Sequence, residues 1–233
     1  MDTVQHLMEV RNLNKTFGAG DTAVKALNDV SFTLDRGVFA AVTGESGSGK
    51  TTLLNVIGSL LKPDSGEVFI DGENIAEQSD DELSVYRRRK IGFIFQNYNL
   101  IPVLTVEENI VLPLNLDSTE PDYPYLAELL RLTGLESKRR NYPHELSGGQ
   151  QQRAAFVRAL IHKPEIILAD EPTGNLDTRN SREIISILKE SVKKYNQALL
   201  LITHDLAIAS QADVVYQMRD GVLTELKNGV SAP

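Results

Sequence analysis

The 233-residue chain has no cysteine, no tryptophan and only three methionines. Without cysteine there is no disulfide framework, no thiolate metal site and no cysteine nucleophile. Positive charge is also in short supply. The 24 lysines and arginines face 32 acids, a formal net charge of −8, which argues against a general nucleic-acid binder. No apolar run approaches the roughly 18 residues that span a bilayer; the longest, around residues 198–203, is only long enough for a strand. The opening residues MDTVQHLMEV are polar and mixed, unlike a secretory signal. A soluble intracellular protein is expected, at a membrane only if something recruits it. The chain does have 41% hydrophobic residues and the length for one large α/β domain, or a core with a smaller subdomain.

The stretch Gly44-Glu45-Ser46-Gly47-Ser48-Gly49-Lys50-Thr51, followed by Thr52, fits G-x-x-x-x-G-K-[ST] at every fixed position. An apolar run at 38–42 precedes it and a helical pattern through Leu53, Leu54, Val56 and Ile57 follows. That strand–loop–helix setting separates a phosphate-binding loop from a flexible Gly/Ser turn. Its glycines let backbone N–H groups point inward at phosphate oxygens, and the new helix presents its positive end to the same anion. Lys50 is expected to reach the β- and γ-phosphates, and the Thr51 hydroxyl to bind Mg²⁺. The chain is read as binding a nucleoside triphosphate.

Residues 6–17 and 22–35 read as strands around the turn Gly18-Ala19-Gly20-Asp21, forming a small antiparallel sheet beside the nucleotide core. Phe17, at the end of the first, could stack on a purine base or be a plain core residue. Ser79 with Glu82 has capping-box form and starts a helix to about residue 89. The run Arg87-Arg88-Arg89-Lys90 at its end reads as a solvated basic face on a helix C-terminus. Residues 91–95 form a buried strand with Gln96 at its carboxyl end, where ligands gather in open α/β sheets. Residues 97–145 carry five prolines and helical patterns at about 105–112 and 123–133, a helical insertion able to move as a unit.

Leu146-Ser147-Gly148-Gly149-Gln150 opens the next helix, with Ser147 as N-cap and Gln150 at N3. Two adjacent glycines weaken a first turn by about 1 kcal/mol each relative to Ala. Bare glycines there make sense where an anion must approach the N–H groups, a second anion site far from the first in sequence. Residues 165–170 form an apolar strand ending in Asp170-Glu171. Asp170 there suits Mg²⁺ and Glu171 suits polarising a water; a solvated turn is the plain alternative. Residues 198–203 form another buried strand with His204 at its end, placed to meet a γ-phosphate and orient Glu171. A helix from Asp177 or Thr178 to about residue 194, and strands at 214–218 and 222–226, complete the pattern.

In this order, Phe17, the loop 44–51, Gln96, LSGGQ at 146–150, the acids of 166–171, Asp177 and His204 resemble the ATP-binding cassette (ABC) transporter ATPases over essentially the whole chain. The stretches IGFIFQNYNLIPVLTVEENI and ADEPTGNLD are similar to the macrolide-export and lipoprotein-release branch, which includes the bacitracin-type peptide-resistance transporters and the cell-division cassette. The resemblance implies an α/β fold: a P-loop NTPase (RecA-like) core at 1–96 and 163–233, an N-terminal antiparallel β subdomain, and an inserted helical subdomain at about 97–162. It implies that Phe17, where the family usually has Tyr, stacks on adenine. Gln96 contacts Mg²⁺ and senses a membrane partner. Ser147 and Gly149, in a turn completed by Gly148 and Gln150, bind the γ-phosphate held by a second copy of the chain. By the same resemblance Glu171 is expected as the catalytic base, Asp177 to communicate across the dimer and His204 to hold the γ-phosphate. The implied partners are that second copy and an integral membrane permease, with no nucleic acid, and the implied location is peripheral on the cytoplasmic face of the membrane. The segment after Pro113 is short for this branch. A non-transport ABC ATPase of DNA repair, chromosome organisation or translation is the rival; it needs long coiled-coil insertions or a second cassette, and this chain shows neither.

Overall fold

The structure, a computed structural model, describes residues 6–174, 176 and 178–226. In chain order the strands are β1 (Met8–Phe17), β2 (Val24–Leu34), β3 (Phe39–Thr43), β4 (Ser65–Ile70), β5 (Glu73–Asn74), β6 (Ile91–Ile94), β7 (Ile166–Asp170), β8 (Ala198–Ile202), β9 (Val214–Arg219) and β10 (Val222–Leu226). The helices are α1 (Lys50–Ile57), α2 (Asp80–Lys90), α3 (Val106–Leu116), α4 (Tyr123–Leu132), α5 (Gly148–Leu160), α6 (Thr178–Tyr195) and α7 (Leu206–Ala209).

Unbroken apolar stretches with no polar face to turn to water must be covered on both sides. β3, β7 and β8 are such stretches, and they lie together in a six-stranded sheet of order β10-β9-β3-β8-β7-β6. Its strands are parallel except for β10, which pairs antiparallel with β9. The period-2 alternation of each strand divides its side chains between two cores. Ala40, Val42, Ile166, Leu168, Leu200 and Ile202 join the core shared with α1, α2 and a second sheet. Phe39, Ile167, Ala169, Leu199 and Leu201 join the core under α3, α4, α5 and α6. The second sheet is antiparallel, of order β2-β1-β4-β5, as the N-terminal strands led one to expect.

Two local readings change. Every cation of the run 87–90 is engaged by a partner, although Arg89 stays exposed. Arg87 donates to the Ser59 carbonyl, Arg88 and Arg89 both donate to Asp117, and Lys90 pairs with Glu165. The two guanidiniums, Arg89 foremost, hold the Asp117 carboxyl below its usual range. The helical pattern read at about 105–112 is longer in the structure, where α3 continues through Pro113 to Leu116. Proline there removes one backbone bond at a cost of about 3 kcal/mol. Burial of Ile110, Val111 and Leu114, each contributing about 1.5–3 kcal/mol, offsets it. The preceding loop is fixed by Asn109, fully buried, whose amide accepts from Ile101 N–H and donates to the carbonyls of Ile101, Leu104 and Thr105.

Just past α5, His162 sits with Nε2 donating to the Ile91 carbonyl at 3.2 Å and with its Nδ1 buried. Burial pushes its pKa from the ordinary 6.5 down to about 4. The unfolded chain therefore takes up this proton near pH 6.5 and the folded chain only near 4. The associated stability is present above pH 6.5 and is lost as pH falls through that window, about 3 kcal/mol in all. Urea unfolding at pH 7 and pH 4.5 should show a smaller drop for His162→Gln than for the parent chain; parallel drops would remove His162 as the source.

Candidate active site

β3, β8, β7 and β6 run parallel and end at one edge of the sheet, the edge where open α/β folds bind ligands. Each end delivers polar groups to one cavity of about 550 Å³, within the size range of small-molecule sites. From the loop after β3 come Gly44, Ser46, Gly47, Gly49, Lys50, Thr51 and Thr52; from past β6 comes Gln96; from β7 come Asp170 and Glu171; from past β8 comes His204. Phe17, Val24 and Ala26 of the antiparallel sheet form a further wall. Phe17 is 45% exposed, which excludes a core role, and the Lys15 ammonium lies 5.9 Å from its ring centroid.

The loop wraps the start of α1. Gly49 caps that helix in a left-handed conformation, φ +109°, open to glycine and strained for other residues. A Cβ on Gly49 would lie 2.2 Å from the Ala26 carbonyl oxygen and 2.9 Å from the Met218 methyl. The rear of the loop is held by the β9–β10 turn, where Gly221 N–H donates to the Ser48 carbonyl and the Gly221 carbonyl accepts from Asn28 N–H. Lys50, buried along its stem, donates to the carbonyls of Gly44 and Glu45 at 2.8 and 2.7 Å, so its ammonium is held at the inner face of the loop. Glu45 and Ser48 shape the loop without lining the cavity: Glu45 through that carbonyl, Ser48 through the bond to Gly221.

Across the cavity, Thr51 Oγ1 donates to Asp170 Oδ2 at 2.9 Å. Burial raises the Asp170 pKa, while the Thr51 hydroxyl and the Lys50 charge act in the opposite sense. Glu171 follows with φ +47°, a left-handed backbone in a non-glycine residue, of the kind that collects at functional turns and costs about 1–3 kcal/mol. Its N–H donates to the Ile202 carbonyl, which fixes the turn, and its Oε1 lies 2.9 Å from His204 Nδ1. Glu171 is largely covered, its side chain 16% exposed, and His204 largely open at 73%. Gln96 reaches the same region, its Nε2 3.3 Å from where a Cβ on Gly174 would sit.

Ser147, Gly148, Gly149 and Gln150 are not brought into this cavity. They form the expected capped turn at the start of α5: Gln150 N–H donates to Ser147 Oγ at 3.3 Å and Ser147 N–H to Gln150 Oε1 at 3.0 Å. Asp177 lies outside the described residues. Val24, Ala26 and Met218, as walls of the loop, were missed by the sequence reading because they are apolar residues on strands distant in sequence. Tyr98 was missed too; its hydroxyl lies over Gly148.

The sequence model of the ABC transporter family matches residues 27–174. The chain is 42% identical over 220 residues to the ABC transporter ATP-binding protein YxdL of Bacillus subtilis, an alignment covering 94% of this chain and 85% of that one. It is 41% identical to the macrolide export ATP-binding/permease protein MacB of Mannheimia succiniciproducens, across 94% of this chain but 34% of MacB. Among solved structures, a dimer of the ABC transporter cassette MJ0796, a protein of Methanocaldococcus jannaschii, superposes with a TM-score of 0.87 at 39% identity, covering 95% of this chain and 99% of that one. A dimer of MJ0796 in a post-hydrolysis state, bound to ADP and Pi, superposes at 0.86.

The loop geometry has a direct test. A Cβ on Gly47 meets nothing within 4 Å, so Gly47→Ala meets only the strain of its φ of +79°, about 1–2 kcal/mol. Gly49→Ala adds a collision with backbone at Ala26. In urea unfolding Gly49→Ala should cost at least about 2 kcal/mol more than Gly47→Ala; equal costs would mean that the loop does not press on β2.

Proposed function

Because the chain belongs to the ABC transporter family, as an ATP-binding and ATP-hydrolysing subunit, we propose that two copies close head to tail around two Mg-ATP and so drive a membrane permease. One observation carries the reading. The loop 44–51, Asp170, Glu171 and His204 converge on one cavity, while the turn 147–150, an N-terminus with two bare glycines, does not line it. An anion site without its own nucleotide makes sense when it meets the nucleotide of a second copy.

In this reading the roles are as follows. Phe17 stacks on the adenine and the N–H groups of 44–51, with Thr52, cradle the phosphates. Lys50 offsets charge on the β- and γ-phosphates. Thr51 and Asp170, in contact with each other, and Gln96, lining the same cavity, would offer Mg²⁺ hydroxyl, carboxylate and amide oxygens, the hard donors that it takes together with phosphates. The burial that raises the Asp170 pKa is relieved by a cation beside it. Mg²⁺, when bound, neutralises charge on the phosphate oxygens. Glu171 takes a proton from the attacking water. The water oxygen bonds to the γ-phosphorus, the bond from that phosphorus to the β–γ bridging oxygen breaks, and ADP and phosphate result. His204, which orients Glu171, holds the γ-phosphate. Ser147, Gly148, Gly149 and Gln150 complete the partner's site, and Asp177 carries the signal between the sites.

Residues 97–162 then form the unit that moves against 1–96 and 163–233, with Gln96 at the junction. No described helix is long and apolar enough to cross a membrane, and the chain sits at the cytoplasmic face through its permease. The work is of export or mechanotransmission type, on antimicrobial peptides, macrolides or lipoproteins. MacB is named for macrolide export and joins ATP-binding and permease parts, of which this chain spans about a third.

Size-exclusion with light scattering on Glu171→Gln should show a shift from monomer to dimer on adding Mg-ATP, lost on Ser147→Arg. Glu171→Gln should also cut turnover by about 100-fold or more. Normal turnover in that variant would remove the base assignment, and a Ser147→Arg chain that dimerises as readily as its parent would remove the composite site.

A further inference from the structure

Tyr98 lies two residues beyond Gln96 and crosses to the first turn of α5. Its hydroxyl sits 2.9 Å from the position a Cβ would take on Gly148, and its ring carbon Cζ sits at 3.8 Å. The hydroxyl thus occupies a notch that exists only because residue 148 has no side chain. The same segment is held at a second point on α5. Arg158 donates to the Tyr98 carbonyl at 2.9 Å and to the Asn99 carbonyl at 2.6 Å. Asn99 adopts φ +49° there, so the chain turns sharply where it is gripped. Ten residues, about 15 Å of helix, separate the two attachments. Two attachments that far apart fix the direction of a helix as well as its position.

Gly149 offers a contrast. The nearest described atoms to a Cβ there are side-chain atoms of Asn180 and Leu176 at about 3.7 Å, ordinary contact. Among the described residues, nothing packed on residue 149 calls for glycine. At 148, Tyr98 does.

We propose that Tyr98 is a positioning residue that ties the Gln96 segment to the 147–150 turn, so that the turn is aimed at the partner's nucleotide only while that segment is in place. The tether rests on the composite-site reading given above. Tyr98 touches no reacting atom. It makes the end of β6, which meets one chain's nucleotide through Gln96, and the start of α5, which meets the other's, parts of one lever.

The experiment is a double-mutant cycle in the Glu171→Gln chain, using Gly148→Ala and Tyr98→Phe. The readouts are Mg-ATP-dependent dimerisation by light scattering, monomer affinity for a fluorescent ATP analogue, and melting temperature. Gly148→Ala should weaken dimerisation at least about tenfold, because its methyl meets the Tyr98 hydroxyl. Adding Tyr98→Phe removes that oxygen, leaves the nearest ring atom at ordinary contact distance and should recover most of the loss. Tyr98→Ala should weaken dimerisation while keeping monomer nucleotide affinity within about twofold, a split that general loss of structure would not produce. Failure of Tyr98→Phe to rescue Gly148→Ala, in a parent that dimerises, overturns the tether and leaves the composite site standing. A Gly148→Ala chain that dimerises like its parent overturns it as well. A parent that stays monomeric in Mg-ATP overturns the composite-site reading, and the tether falls with it.

Discussion

Hydrogen-bond register keeps four parallel strands flush at one edge, and every polar group in the cavity depends on it. Val42 stands opposite Ile202, Ile202 opposite Asp170, and Ala169 opposite Ile94. Neighbouring strands are about 4.8 Å apart, so groups that leave adjacent strand ends are brought within reach of one small ligand. Thr51 and Asp170 come within a hydrogen bond although 119 residues apart, as do Glu171 and His204, 33 apart. The strands hold this register because each face packs particular side chains into its own core. A one-residue slip would exchange the side chains of the two cores.

Charge follows the same logic. The chain is acidic as a whole, yet Lys50 and the N-terminus of α1 meet at the loop, where an anion is wanted. The acids near the cavity, Asp170 and Glu171, are distributed differently. Asp170 is tied to Thr51 and disfavoured by burial, a group suited to a cation. Glu171 is paired with an exposed histidine, a group suited to a proton. The two roles proposed for them separate at the backbone: residue 170 ends the strand, and residue 171 turns out of it at positive φ.

Much of this was legible in the sequence wherever the chemistry is local. The loop 44–51 announces itself within eight residues, and the capped turn at 147–150 within four. The apolar strands declare their ends. What the sequence could not show is what lies across space from what. The cations of 87–90 look solvated until Asp117 and Glu165 are seen against them, 28 and 75 residues away. The pattern at about 105–112 gives no reason to carry the helix past Pro113 until the buried side chains around it show why it goes on. Tyr98 is one aromatic among several until Gly148 is found beneath it. In each case the missing information was a long-range contact, which neither periodicity nor capping reports.

The turn at Gly221 braces the phosphate loop from behind, and this has a consequence for how the protein is made. The motif itself is finished by residue 51, but its rear wall comes from Met218 and Gly221. During synthesis the loop is therefore exposed for most of the chain's length before its supports exist. A shortened product that lacks those residues carries the whole recognisable motif and still has no finished place for a phosphate. Competence to hold a phosphate thus becomes a late signal that translation has run nearly through the domain, although the loop 44–51 itself is among the first parts to emerge.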